Sequence, residues 1–185
     1  MKPFKLLLCL CLLANNFIFS QGIFKTAQDF RSSTYLIKAS SPNDFKVYPH
    51  RIFNSSKIKV KNGDSTHAFL KSDIYGYQDD MHTYRFYNKE QYTILNPTES
   101  ILLYSKIVLA GPKGNIPTEV YFFSKEESSE ILPLTIQNLK SVFQSQGEFY
   151  DFIELHFKDD KDLLKYDSLR KMYFLNYLYQ KSNKA

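Results

Sequence analysis

From about residue 45 to 124 hydrophobic and polar positions recur with a period of two, and from about 135 to 181 with a period near that of a helix. Strands put successive side chains on opposite faces, whereas helices bring every third or fourth residue together. The expected fold is therefore α+β, an antiparallel β-sheet of hairpins followed by a C-terminal helical layer. Lys57, Lys59 and Lys61 alternate with Ile58 and Val60, and Asn62-Gly63 follows, the favoured pair of a type I′ hairpin turn. In "HTYRFY", His82, Tyr84 and Phe86 fall on one face and Thr83, Arg85 and Tyr87 on the other. "QYTIL" repeats the alternation after a polar "NKE" turn. "ILLYSKIVL" (101–109) and "TEVYFFS" (118–124) are apolar on both faces, as in strands covered on both sides. The helices that follow are the expected cover.

Thr26 is placed to cap a short helix in "KTAQDFRSS", and Thr135 to cap one carrying Ile136, Leu139 and Phe143 on a face. "EFYDFIELHF" puts Phe149, Phe152 or Ile153, and Phe157 along another stripe. The last helix is expected from about Asp160 to Gln180, with Leu163, Tyr166, Leu169, Met172 or Tyr173, and Tyr177 in line.

The N-terminal twenty residues follow a different logic. Lys2 and Lys5 precede an apolar run, Leu6 to Leu13, broken only by Cys9 and Cys11; Asn15 and Asn16 and then "FIFSQG" follow. This is the layout of a secretory signal peptide cut after Ser20, which leaves 21–185 as a single domain. The asparagines end the apolar run well short of the roughly 18 residues a spanning helix needs. Leucine before each cysteine argues against lipid attachment. The expected location is periplasmic or extracellular, with no stable membrane span after cleavage.

Cleavage removes both cysteines, so the mature chain holds no disulfide and no thiol nucleophile. Loss of Lys2 and Lys5 lowers the formal net charge from +5 to +3. The longest basic cluster is the alternating "KIKVK" rather than a dense stripe, so nucleic acid is not an expected partner.

No motif supplies catalysis or a cofactor site. "KDDKDLL" has the acidity of a calcium loop, but Lys165 stands where the loop needs glycine and Lys171 where it needs glutamate. His50, His67, His82 and His156 are scattered; His67 and His82, on strands read as neighbours, are the pair that could meet. Ser56 with Lys59 and Ser168 with Lys171 have S-x-x-K spacing without the companion motifs of serine enzymes. Binding is the remaining chemistry. Tyr75, Tyr77 and Tyr87, with Arg85 among them, are the candidate ligand contacts, since exposed tyrosine rings stack sugars and bases. A half-buried sheet wall is the alternative reading of the same residues. The lysine row either contacts an anionic polymer or guards an edge strand against aggregation.

Gln21 after the cut, "GIFKTAQDF", "IYGYQDD" followed by "YRFYN", "LTIQNLKSVF" and "DLLKYDSLRKMYFLNYLY" span most of the mature chain. In these segments it resembles a group of small exported proteins of Bacteroidetes-type bacteria with no assigned function. The resemblance implies export in a Gram-negative cell and carries over no catalytic residue. The expected function is a non-enzymatic binding or structural module whose partner is a glycan or another envelope protein. A carbohydrate-binding module using exposed tyrosines, or a hydrolase with an unfamiliar site, are the alternatives. Intact mass of the protein recovered from the periplasm or medium is expected to match a chain starting at Gln21. Recovery of the uncut mass would overturn the export reading.

Overall fold

Alternation before residue 125 is divided between an eight-stranded and a three-stranded sheet rather than building one. The computed structural model describes residues 20–41, 43–49, 55–111 and 114–184. Residues 1–19 of the signal-peptide reading, with Cys9 and Cys11, and also His50, lie outside them. The chain opens with β1 (Gly22–Phe24), α1 (Ala27–Arg31) and β2 (Ile37–Lys38), then β3 (Phe45–Tyr48), β4 (Lys57–Asn62) and β5 (Ser65–Leu70). A meander follows: β6 (Gly76–Gln78), β7 (Thr83–Tyr87), β8 (Glu90–Ile94), β9 (Leu102–Ala110) and β10 (Ile116–Ser124), with β11 (Leu132–Pro133) behind it. The C-terminal part holds α2 (Ile136–Val142), α3 (Gly147–His156), a 3₁₀ turn at Asp160–Leu164, the pair β12 (Tyr166–Asp167) and β13 (Met172–Tyr173), and α4 (Phe174–Ser182).

The fold is α+β, as the two periods imply. Eight strands form an antiparallel sheet in the order β11-β10-β9-β8-β7-β6-β1-β2. The expected sheet boundary of about residue 45 is thus too late, because β1 and β2 extend the meander from beyond β6. Conversely, β3, β4 and β5 leave it and pair as a separate three-stranded sheet. Its apolar face supplies the reason: Phe45, Ile58 and Val60 bury against Ile23, Tyr77, Tyr84 and Phe86 of the large sheet. A half-apolar strand gains more by lying across another sheet's apolar face than by joining its edge.

Residues opposite one another in an antiparallel pair share a face. The register Ile23–Tyr77–Tyr84–Thr93–Ser105–Tyr121 traces one face across six strands. The small sheet covers one end of this face. The helices cover the other, where Leu103 and Phe123 meet Leu139, Phe143, Phe149, Ile153 and Leu178. The second face carries Phe24, Tyr92, Ile94, Leu102 and Tyr104, against Phe30 of α1 and Ile131. Helices therefore cover one face of β9 and β10, and α1 with the chain after β10 covers the other. That cover stops midway, contrary to the expectation for 101–109. Ile107 and Leu109 are exposed, as is Ile116 opposite the strand's end.

Thr26 caps α1 through a reciprocal bond pair with Asp29, and Thr135 caps α2 by accepting from the Asn138 N–H. The acidic run caps as well: Asp159 and Asp162 box the 3₁₀ turn, and Asp160 accepts from the Ile136 N–H at 2.8 Å. The single helix expected from Asp160 to Gln180 is not formed. The Asp167 carboxylate accepts from the N–H groups of Leu169 and Arg170, each at 3.0 Å, offering the backbone an alternative to the helical bond. Lys171 takes a positive φ of 54°, and the chain makes the β12–β13 hairpin instead. Leu169, placed on the buried stripe by periodicity, is 94% exposed.

The turns also differ in detail. Asn62 pairs with Ser65, so the central residues of the β4–β5 turn are Gly63 and Asp64, one step beyond the expected pair. Of the two only Gly63 has positive φ, the signature of a type II′ turn. Asn88 and Lys89, both at positive φ, make the type I′ turn between β7 and β8. Gly76 is required by close approach, since a Cβ there would collide with the Tyr84 carbonyl oxygen.

A buried polar knot joins helices to sheet. Asn176 in α4 accepts from the Ile101 N–H at 2.8 Å and donates to its carbonyl at 2.9 Å. Asn96 donates to the same carbonyl at 2.8 Å and accepts from the Leu103 N–H at 2.6 Å. The Glu99 carboxylate accepts from the Asn96 amide and the Tyr173 N–H. Burial pushes the Glu99 pKa up more strongly than these bonds lower it.

Asn176→Ala strands the Ile101 N–H, leaves its carbonyl with Asn96 alone, and is expected to cost about 2 kcal/mol, seen as a melting temperature lower by roughly 4–8 °C. An unchanged melting curve would show the knot to be dispensable. Glu99 adds a pH signature. Its folded-state pKa lies above the unfolded value, so folded protein binds more protons in that window and stability falls as pH rises through it. Denaturant titration should show the stability gap between wild type and Glu99→Gln changing just above about pH 4.3, and level near neutrality.

Candidate functional site

Three of the four candidate contact residues meet, but they meet in the core. Tyr75 precedes β6, and Arg85 and Tyr87 lie on β7. The Arg85 guanidinium lies against the rings of Tyr75, Tyr87 and Tyr104, at 5.3, 5.4 and 5.9 Å. It donates to the Tyr104 hydroxyl at 2.9 Å, the Ser129 carbonyl at 2.7 Å and the Ser124 hydroxyl at 3.4 Å. No carboxylate lies within ion-pair distance of it among the described residues. Arg85 is only 4% exposed, so aromatic faces and neutral oxygens stand in for a counter-ion. Burial, and then the nearby Tyr104 hydroxyl, push the Tyr75 pKa up, while the Tyr75 hydroxyl finds no well-formed hydrogen bond.

This corrects the expectation of exposure. Tyr75 and Arg85 are buried, and only Tyr87 is half-buried. Tyr77 stands apart on the opposite face, 3% exposed, stacked on Tyr84 at 4.6 Å and packed under the small sheet. Alternation would put Tyr75 and Tyr77 on one face, but Tyr75 lies before β6 and turns to the opposite face, and alternation is blind to a second layer on each face. Both rings are walls of the sheet.

The open site lies where β8 and β9 part. They pair at Thr93–Ser105 and Ile94–Tyr104, and the Leu95 N–H reaches the Leu103 carbonyl. Beyond Ser105, β9 runs on to Ala110 with no strand on this side among the described residues. A cavity of about 220 Å³ occupies the fork, lined by Lys71, Glu90, Gln91, Thr93, Ser105, Lys106 and Ile107. Lys106 pairs with Glu90 at 2.8 Å. Lys71 is buried, donates to the Lys89 carbonyl at 3.1 Å and lies over the Phe86 ring. Desolvation holds its pKa below the usual lysine value, against the opposing pull of Glu90. The buried Gln91 Oε1 has no hydrogen-bond partner among the described residues.

Pro117 fixes which backbone groups face the fork. It pairs with Leu109 and has no N–H, so its nitrogen belongs on the outer side of β10. Leu109–Pro117 is then a non-hydrogen-bonded pair, and so is Ile107–Glu119, two residues back. The N–H and C=O groups of Ile107 and Leu109 therefore point away from β10, toward the side that β8 has vacated. Alternation carries no sign of this edge, because no pattern in one strand reports where its neighbour will diverge from it. Proline within a strand pattern was the one available signal.

The other candidate chemistry disperses. His67 lies on β5 of the small sheet beside Phe69, and His82 just precedes β7 of the large sheet beside Tyr84, so the two do not lie on neighbouring strands. Asp79 turns its carboxylate on the N–H groups of Met81 and His82, and Glu127 pairs with Arg31. Among the described residues no group of three potential metal ligands converges.

Arg85→Ala is expected to cost about 3–5 kcal/mol in chemical denaturation, through lost bonds and the cavity left among the rings. Arg85→Lys should restore little of it, because one ammonium cannot span the same three acceptors as the fork. Wild-type stability in either variant would remove Arg85 from the core account. Comparison of the chain with protein-family models, curated proteins and solved structures gives no match.

Proposed function

We propose that this is an exported, non-enzymatic binding module that takes an extended segment of a partner protein as an added strand along the free edge of β9. One observation carries the reading: the backbone groups of Ile107 and Leu109 face a fork that β8 does not fill. An extended peptide entering a sheet edge bonds to such groups directly, and side chains lining the edge select among peptides. Lys71 and Lys106 against Glu90 leave the fork one positive charge in excess, which favours a segment carrying a carboxylate. The unpartnered Gln91 Oε1 offers an acceptor to a donor on the ligand. Export rests on the N-terminal layout and on the resemblance to small exported proteins. A cut after Ser20 leaves β1 whole. Another envelope protein is the partner class that fits both. A sugar site built on Tyr75 and Tyr77 has no support from their burial.

Selection of displayed peptides on the mature protein should recover extended segments with an acidic residue. Ile107→Pro and Leu109→Pro each remove a donor facing the fork and leave the β9–β10 bonds in place. Each is expected to weaken a selected peptide about tenfold in titration calorimetry, at about 1–1.5 kcal/mol per bond. Glu119→Pro, whose N–H faces the outer side of β10, should leave binding unchanged. Equal losses in all three variants, or none, would refute strand addition.

A further inference from the structure

Beyond the fork, we infer that the outer face of the three-stranded sheet seats the protein on an anionic lipid surface. The inner face is fixed by Phe45, Ile58 and Val60 in the core. The outer face carries Lys46 and Tyr48 from β3, Lys57, Lys59 and Lys61 from β4, and Leu70 from β5. All four lysines are exposed, and none pairs with a carboxylate among the described residues. Lys46 stands directly opposite Lys61, an arrangement that like charges destabilise. Along β4 the lysine Cα atoms are about 6.6–6.8 Å apart.

Guarding an edge does not account for this row. β4 is the middle strand, paired with β3 on one side and β5 on the other, so it has no free edge to guard. The sheet therefore holds together against a repulsion that no carboxylate among the described residues relieves, and an external anion would relieve it.

The flanks indicate which kind of anion. Tyr48, 47% exposed, lies beside Lys59 on one side, and Leu70, 38% exposed, lies beside Lys57 on the other. Cations in the middle with an aromatic and an aliphatic side chain at their level fit a bilayer surface. Headgroups meet the ammonium groups there, and the apolar groups enter the shallow interface. A linear polyanion would follow the β4 row alone and leave both flanks unused. The protein would lie on the membrane; among the described residues no helix is long and apolar enough to cross it.

Flotation of the mature protein with vesicles tests this. Vesicles of equal parts phosphatidylcholine and phosphatidylglycerol should carry it, and phosphatidylcholine alone should not. Each lysine near such a surface strengthens partition about fivefold, the equivalent of about 1 kcal/mol. Changing Lys57, Lys59 and Lys61 together to Gln should therefore weaken partition about a hundredfold. Salt near 1 M, where the Debye length is about 3 Å, should have a similar effect. Tyr48→Ser combined with Leu70→Ser should weaken partition less and leave it sensitive to salt. Lys46→Gln, which relieves the repulsion from Lys61, should weaken partition about fivefold and leave the melting temperature equal or higher. Partition unchanged in the triple variant would overturn the inference. So would binding to a soluble polyuronate or a single-stranded oligonucleotide without binding to anionic vesicles.

Discussion

Two buried asparagines decide how the sheet and its helices are joined. At residues 101–103 the chain enters β9 through an apolar interior, where an unmade backbone bond costs roughly 1–3 kcal/mol. Asn176 and Asn96 answer the backbone groups of Ile101 and Leu103 from two directions, one from the last helix and one from the β8–β9 connection. Their amides therefore set the spacing of β8 and β9 at the closed end, and with it the depth at which Leu103 meets Leu139, Phe149 and Leu178. Glu99 completes the arrangement and brings the start of α4 to the same place.

Arg85 does on the second face what the asparagines do on the first. From β7 it reaches across β8 to Tyr104 on β9, to Ser124 at the end of β10 and to the chain beyond. Both fastenings act near the closed end of β9. β8 pairs with β9 only at Thr93 and Ile94, so Glu90–Tyr92 run on at the level of Lys106–Val108 without pairing. The fork follows from this divergence above rigid packing at its base, with the Lys106–Glu90 pair bridging the two strands. Lys71 at the end of β5 and Glu90 at the start of β8 line it, so the small sheet bounds it as well.

Much of this was legible where a single strand or helix carries its own signal. The lysine alternation of β4, the split of Tyr84 and Phe86 from Arg85 and Tyr87, and the caps at Thr26 and Thr135 are local properties, and all four are observed. What sequence concealed was relational. Nothing in "KIKVK" tells whether the strand lies in the large sheet or across it. Nothing near Tyr75 and Tyr77 reports that each face of the sheet has its own cover. The last helix was lost to a competition that periodicity does not weigh, between helical bonds and the Asp167 side chain. The Arg85 site was found by its aromatic neighbours and misread as open, because charge and ring patterns are the same for a binding face and for a buried cation.

The position of Asn176 also governs when the fold can be completed. The residue that satisfies Ile101 lies 75 positions away and within the last ten of the chain, while β1 finds its partner β6 only after the small sheet has intervened. Such long-range closures raise contact order and slow folding. Leu139, Phe143, Phe149 and Ile153 can cover Leu103 and Phe123 without α4, but the polar bonds at Ile101 wait for it. The join at Ile101 is thus among the most demanding in chain entropy, since a long loop must close before its two hydrogen bonds can form.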